Sequence, residues 1–312
     1  MAEGKVLVTG GAGFIGSNVA ALLLDKGCLV RVVDDLSTGY RQNLDGLDVE
    51  LHIGDIRDEA LMDRVCRGVD TVFHLAACVG RQRSIDDPIS DSSINVLGTI
   101  SLLEAMVKNK VQRVVYSSSA AIFGELIGNI VCEDHPLNAD SPYGVSKLTA
   151  EKMILAYSGI YGITGVCLRY FNIYGRNQRY DTYGNVIPIF AQRLKEGKAL
   201  TIYGDGTQTR DFVNVRDVAR ANFLASQTGV DTGVYNLGSG KSISIGELAL
   251  KMSAIAGKQP DVIYAPKRAG DVMHCLADTR KAAKELCFTA TVSIDDGLSE
   301  YLKWFSEQVE RT

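Results

Sequence analysis

The sequence predicts an α/β chain built on a doubly wound parallel sheet, followed by a smaller C-terminal α/β domain. Three observations carry this. A glycine triplet, Gly10, Gly13 and Gly16 in TGGAGFIG, follows the apolar run that opens the chain. Short β-branched runs then alternate with helix-length segments through the first half, and this alternation stops near Tyr170.

The runs Val6 to Val8, Leu29 to Val33, Val49 to Ile53, Thr71 to Phe73, Val114 to Tyr116 and Val166 to Leu168 read as strands. They are continuously apolar, which suits strands buried on both faces. The segments between them are long enough for right-handed helical crossovers between parallel neighbours. After Tyr170 come glycine-rich turns at Tyr203 to Gly206 and Asn236 to Gly240, and helical patterns near Val215 to Gln227, Ile245 to Ala256 and Ile294 to Phe305. With six prolines and no Ser or Gly tract, the two halves are expected to pack without a flexible linker.

At 312 residues the chain has room for one large α/β unit or two lobes. A hydrophobic share of 46%, a charged share of 22% and a net charge of -4 argue against disorder and against a nucleic-acid partner, leaving a small-molecule substrate as the default. No apolar run approaches the roughly 18 residues of a membrane helix, and MAEGKVLV enters a strand without a signal-peptide core. The expectation is a cytoplasmic protein with no membrane contact. Seven cysteines without a CxxC pair, and only four histidines, give no metal site and no disulfide framework, so most cysteines read as small core residues.

The glycine triplet sits between a strand and an amphipathic helix carrying Phe14, Ile15, Val19, Leu22 and Leu23. Absent side chains let the turn bend and the backbone approach a pyrophosphate, while helix-terminal amides receive its charge. This is a dinucleotide-binding (Rossmann) context. The next apolar run ends at Asp34, 18 residues after Gly16, where a carboxylate accepts from a ribose 2'-OH and repels a 2'-phosphate, so the cofactor is NAD rather than NADP. Asp35 is placed to share this task. Asp55 in GDIRD and HLAA from His74 to Ala77 end the third and fourth strands at the carboxyl edge of the sheet. Asp55 is a candidate acceptor for an adenine amino group, Ala76 and Ala77 leave room for the cofactor, and His74 reads as a packed or capping residue.

Tyr143 and Lys147, in SPYGVSK, share one face of a helix. An ammonium there favours the phenolate and lowers the tyrosine pKa from about 10, producing a proton acceptor near neutrality. Ser117, Ser118 and Ser119 follow the fifth strand, so one hydroxyl can point over its end. The chain is thus expected to be 1–170 as an NAD-binding domain and 171–312 as a substrate-binding domain, with 212–240 returning to the first sheet.

SSSAAIFG, SPYGVSK and RYFNIYG, together with the fingerprint and HLAA, resemble the extended short-chain dehydrogenase/reductase family, specifically its NAD-dependent nucleotide-sugar 4-epimerases. The resemblance implies that Ser119 bonds the sugar O4 and relays its proton to Tyr143, while Lys147 also holds the nicotinamide ribose. It further implies cofactor contacts at Ser37, Thr38, Gly39 and Ile56, then at Leu75, Asn95, Ser117 and Tyr170. On the UDP-sugar side it implies Asn172, Asn185 and Val186, with Thr201, Tyr203 and Arg210, and with Arg268 and Asp271 in RAGD. Dehydratases of the family carry an acidic pair where Ala120 and Ala121 stand here, and elimination of water lacks its proton donor without it. Cys275 falls where family members have either a bulky tyrosine or a small residue beside the sugar C2 group, which implies space for an N-acetyl. Action on UDP-GlcNAc/UDP-GalNAc and on UDP-Glc/UDP-Gal follows.

Two departures keep an alternative open. The loop Gly80 to Ser84, GRQRS, is basic where the family approaches the sugar, and Ser84 is a candidate contact; Arg81 or Arg83 there suits a UDP-glucuronate 4-epimerase or decarboxylase. Arg176 replaces a common proline. Outside enzymes, the rival is a redox-sensing NAD-binding module, against which Tyr143, Lys147 and Ser119 together argue. The apolar stripes Ile94 to Met106 and Leu148 to Tyr157 resemble the helices of family homodimers, or simply cover the sheet.

Overall fold

β-branched residues fill both faces of a pleated surface, and the valine-rich runs accordingly become the central strands. The computed structural model describes residues 4–180, 184–227, 229–259, 261–267 and 272–308. β1 (Lys5–Thr9) leads through the glycine turn into α1 (Phe14–Asp25), then β2 (Leu29–Asp34) and β3 (Glu50–Ile53). α2 (Glu59–Cys66) crosses to β4 (Thr71–His74). Next come α3 (Arg81–Asp86), α4 (Pro88–Ser92) and α5 (Gly98–Lys108), the last two joined by a π turn over Ser93–Leu97. β5 (Arg113–Ser119), the short β6 (Ile130–Val131), α6 (Pro142–Tyr161) and β7 (Thr164–Tyr170) follow.

The main sheet has seven parallel strands once β11 (Gly233–Leu237) is added beside β7, in the order β11-β7-β5-β4-β1-β2-β3. The order reverses between β1 and β4, which makes the crevice at their carboxyl ends the ligand position of a doubly wound sheet. Period 2 divides the strand side chains between two cores. Val6 and Val8 join Val19, Leu23, Val218 and Ala221 on one face, under α1 and α8 (Val215–Ala225). Leu7 joins Met62, Leu102, Met106 and Ile154 on the other, under α2, α5 and α6.

The remaining elements are β8 (Asn172–Tyr174), α7 (Val186–Lys195), β9 (Leu200–Tyr203), β10 (Thr209–Asn214), β12 (Ser242–Ser244), α9 (Ile245–Ile255), β13 (Val262–Ala265), β14 (His274–Ala277), α10 (Arg280–Glu285) and α11 (Ile294–Gln308). β10 pairs antiparallel with β12 and parallel with β8 and β14, while β14 also pairs with β6 and β9 with β13. α7, α9 and α11 close a third core around Phe190, Leu248 and Trp304. None of this short-strand layer has a distinct signature in the sequence.

The six expected strands are present. The cysteine expectation needs correcting: Cys28, Cys66 and Cys167 are buried, but Cys132 and Cys287 are exposed and Cys78 and Cys275 half-buried, because Cys78, Cys132 and Cys287 lie on loops and Cys275 on the short β14. The apolar stripes mostly cover the sheet, through Leu102, Leu103, Ala150 and Ile154, while Leu97, Val145 and Ile160 remain exposed. No helix among the described residues is long and apolar enough to cross a membrane, and no cluster of three metal-ligating side chains occurs among them.

Candidate active site

Several helices of this protein begin with a side chain that accepts a first-turn N–H, among them Asp58 for α2, Asp87 for α4, Ser141 for α6, Asn214 for α8, Ser244 for α9 and Ser293 for α11. α1 begins at Gly13 with no side-chain cap and no acid in its first turn. Its amides are therefore left for an external anion. Gly10 adopts φ +67°, and a Cβ there would lie 2.7 Å from the Ala76 nitrogen; one on Gly16 would lie 2.1 Å from the Gly10 carbonyl oxygen. A Cβ on Gly13 meets only that carbonyl, at 3.1 Å, and otherwise faces open space. Gly10 and Gly16 close the turn, and Gly13 leaves its mouth clear. Phe14 and Ile15 stay partly buried against the first core. The cradle fits a dinucleotide pyrophosphate.

Asp34 is buried at the end of β2 and accepts from the Ala12 nitrogen at 2.9 Å and the Leu36 nitrogen at 2.8 Å. Burial raises its pKa and these two amides oppose the rise. Each oxygen keeps a lone pair for a ribose hydroxyl. A Cβ on buried Gly39 would meet this carboxylate at 2.8 Å, which explains the glycine. Asp35, Ser37 and Thr38 are exposed, with Asp35 accepting from the Ser37 amide and hydroxyl. Asp55 is engaged by Arg57, whose guanidinium holds its carboxyl below the usual range. Ile56 is buried beneath α5, against Gly98.

Leu75 and Ala76 both donate their backbone N–H groups to the Thr9 hydroxyl at 3.1 Å, and Ala77 continues this edge half-buried. With its acceptor capacity taken, that hydroxyl gives its proton to His74 Nδ1 at 2.8 Å. The ring then donates from Nε2 to Thr99 Oγ1 at 2.9 Å, which donates to the Asn95 carbonyl at 2.6 Å. Burial, then the Lys147 charge, push the His74 pKa down to about 3. His74 is thus a neutral structural bridge, as its sequence context suggests. Asn95 accepts from the Cys78 amide and donates to the Cys78 carbonyl and the Ser146 hydroxyl.

The serine run separates into three jobs. Ser117 donates to the His74 carbonyl at 3.1 Å and Ser118 to Glu151 Oε2 at 2.7 Å, both buried in the sheet. Glu151 is itself paired with Arg169 at 2.8 Å, both buried. Only Ser119, half-buried at the end of β5, faces the cleft, and it lies close enough to the Tyr143 phenol to favour its ionisation.

Tyr143 stands in the first turn of α6, half-buried, with Lys147 one turn on and fully enclosed. Here the structure departs from the expectation. Burial pushes the Tyr143 phenol up to about 12, and the Lys147 ammonium down to about 7. The enclosed floor disfavours each charged form more than either group helps the other. Tyr170, expected at the cofactor, turns its ring into the core, and its hydroxyl pairs with the Asn222 side chain at 2.7 Å.

On the far side of the crevice, Asn172 donates to the Asp211 carbonyl at 3.1 Å. Asn185 begins α7 without a side-chain cap, leaving the first-turn amides after Val186 without a side-chain acceptor. Thr201 and Tyr203 share the half-buried face of β9, and Tyr203 borders a cavity of about 300 Å³ with Gln208, Lys267 and Met273. Arg210 and Cys275 are register partners on β10 and β14. Burial raises the Cys275 thiol to about 11, against the pull of Arg210. Cys275 packs against the buried cluster that includes Phe123 and Phe171. Ser84 is not brought to the cleft surface: it is fully enclosed and donates to the Arg81 carbonyl at 2.7 Å. Arg81 pairs with Asp140 at 2.7 Å, and Arg83 donates to the Val79 carbonyl. Arg268 and Asp271 lie outside the described residues.

Sequence reasoning passed over Thr9 and Asp91. Thr9 carries a signal, a lone hydroxyl closing a buried apolar strand; Asp91, a helical acid among polar neighbours, carries none.

The family described as NAD dependent epimerase/dehydratase matches residues 6–238. A UDP-glucose 4-epimerase of Halalkalibacterium halodurans is 36% identical over 295 residues, covering 89% of this chain and 88% of that protein. Among solved structures, UDP-glucose 4-epimerase of Thermotoga maritima with UDP-glucose superposes with a TM-score of 0.93 at 36% identity, over 98% of this chain and 99% of its own. UDP-N-acetylglucosamine 4-epimerase of Methanobrevibacter ruminantium M1, in complex with UDP-N-acetylmuramic acid, gives 0.94 at 34% identity, over 99% and 100%.

Proposed function

The chain belongs to the NAD dependent epimerase/dehydratase family, and from that membership we propose that it inverts C4 of UDP-hexoses, acting on UDP-GlcNAc/UDP-GalNAc and on UDP-Glc/UDP-Gal. The observation that carries the reading is half-buried Tyr143, close to Ser119 and one turn from enclosed Lys147, in a chain whose α1 starts without a side-chain cap. The relatives named above, one solved with a UDP-hexose and one acting on the N-acetylated sugar, support it.

The Gly10–Gly16 turn, Asp34 and the Ala76–Ala77 edge would hold NAD, which would supply a reversible hydride acceptor for a transient 4-keto sugar that turns over in the cleft. Tyr143 removes the proton of the 4-hydroxyl, with Ser119 positioned to relay it. Where it carries its proton, Lys147 offsets part of the burial cost of the phenolate, and it holds the nicotinamide ribose. After turnover Tyr143 returns the proton. The amides at the start of α7 and the Arg210 guanidinium receive the diphosphate, for which a planar fork is suited. The cavity beside Tyr203 takes the uracil, and Cys275 leaves room at C2. Ala120 and Ala121 offer no acid to a leaving hydroxyl, which argues against dehydration. Arg81 is held by Asp140, which weakens the uronate reading.

In this reading residues 1–170, with the returning segment 212–240, hold the cofactor, and the rest holds the nucleotide sugar. The exposed Leu97, just ahead of α5, and Val145 and Ile160 on α6 support a homodimer through these helices. Incubating the pure protein with UDP-Glc and UDP-GlcNAc separately, without added NAD, and resolving the products tests the proposal. Appearance of the C4 epimers supports it, and absence of any C4 epimer, or release of CO2 from UDP-glucuronate instead, refutes it.

A further inference from the structure

Asp91, the fourth residue of α4, is completely enclosed. One carboxylate oxygen accepts from Asn95 Nδ2 at 3.1 Å. The other is buried with no hydrogen-bond partner among the described residues. A buried carboxylate left half-satisfied is costly, and one that persists calls for an explanation beyond packing. Its surroundings offer one. Asn95 also donates to the Ser146 hydroxyl at 2.9 Å, and Ser146 donates to the Tyr143 carbonyl at 3.0 Å, so Asp91 is tied to the helix turn that carries Tyr143 and Lys147.

We propose that Asp91 is a positioning residue of the reaction: a fixed, buried anion that sets how tightly the Tyr143–Lys147 pair holds its protons. The proposal rests on the reading of that pair as the acid–base machinery. Burial raises the pKa of Asp91 itself, opposed by the Ser146 hydroxyl and the Lys147 charge, and the other charged and titratable groups leave its carboxylate as the main anion facing the pair. On α6, Glu151 is neutralised by Arg169. On β4, His74 is held neutral. Tyr116 on β5, Cys167 on β7 and Cys78 after β4 keep their protons, since burial raises all three. Arg83 and Asp87 act on Cys78 with opposite signs. Asp91 raises the proton affinity of Lys147 and of Tyr143 alike. The two titrate as a coupled pair, and removing a nearby anion moves both macroscopic steps the same way.

The test is the pH dependence of kcat for C4 inversion of a UDP-hexose by the holoenzyme and by Asp91→Asn, which keeps an oxygen toward Asn95. Both limbs of the profile are expected to move to lower pH, by about half a unit to one unit. A profile that falls in height but stays in place shows a structural role only and overturns the proposal. If Asp91→Asn does not fold, the smaller neutral Asp91→Ser carries the same comparison with the same two outcomes. Tyr143→Phe in the same assay separates the failures: full turnover there refutes the acid–base pair itself, whereas its loss beside an unmoved Asp91→Asn profile refutes only the role of Asp91.

Discussion

The Lys147 ammonium lies 4.4 Å from the centroid of the Tyr116 ring, so its partner in the cleft floor is an aromatic face and not a carboxylate. That face returns less than the water it replaces. Burial therefore draws the lysine pKa down from 10.5 to about 7.

This lysine is a burden on stability, and the sign follows from proton counts. Between about pH 7 and 10.5 the unfolded chain holds a proton that the native lysine has lost, so stability rises with pH across that window. The burden is full below it. Lys147→Met is expected to unfold at higher urea, gaining on the order of 1 to 3 kcal/mol at pH 6, with the gain fading toward pH 10, while turnover is lost. Equal or lower stability at pH 6 would contradict this.

His74 makes the opposite edge of the stability profile. Its native pKa of about 3 lies below the unfolded value of 6.5. Between those values the unfolded chain binds the extra proton, so stability present above about pH 6.5 drains away on acidification toward 3. His74→Gln is expected to be less stable than the native protein at pH 7, having broken the Thr9–Thr99 bridge, but to show a flatter loss in urea unfolding between pH 6 and 4. Parallel pH slopes would remove His74 as the cause.

The glycines of the first turn separate fold from cofactor. A Cβ on Gly16 collides with backbone at 2.1 Å, whereas one on Gly13 meets a single oxygen at 3.1 Å. Gly16→Ala is expected to fail to fold or to melt many degrees lower. Gly13→Ala is expected to stay within about 1 kcal/mol of the native stability but to bind NAD about 10-fold more weakly, read by nucleotide released on denaturation and by titration. Equal behaviour of the two variants would sink the distinction.

Cys275 is half-buried beside Arg210, against the cluster that includes Phe123 and Phe171. Cys275→Tyr adds bulk there. It is expected to reduce kcat/KM for the N-acetylated pair at least 10-fold while changing that for UDP-Glc by less than about 3-fold, a steric difference on the scale of 1 to 3 kcal/mol. A uniform loss on both sugars would discard Cys275 as a gate.

What the sequence made legible was local. Val6 to Val8, Gly10, Gly13 and Gly16 form a strand, a turn and a helix start whose geometry is set within a dozen residues. Asp34 follows from the same unit. The short strands of the second layer depend on remote pairing, such as Leu276 with Ile130, and carry no periodic signal. Spacing alone placed Tyr143 beside Lys147, yet it gave the wrong direction for the phenol, because desolvation is the summed effect of everything packed around the group. Three adjacent serines look equivalent in a string. Alternation along β5 sends Ser117 and Ser118 to opposite faces that are both covered, and Ser119 is left half-buried because the strand ends there.

In the proposed reaction the Tyr143 oxygen moves the proton of the sugar hydroxyl. The most direct measurement is single-turnover C4 inversion by Tyr143→Phe, with bound NAD quantified in the same preparation. The account predicts native cofactor content and a rate at least about 100-fold lower. Native cofactor content with an undiminished rate would contradict it.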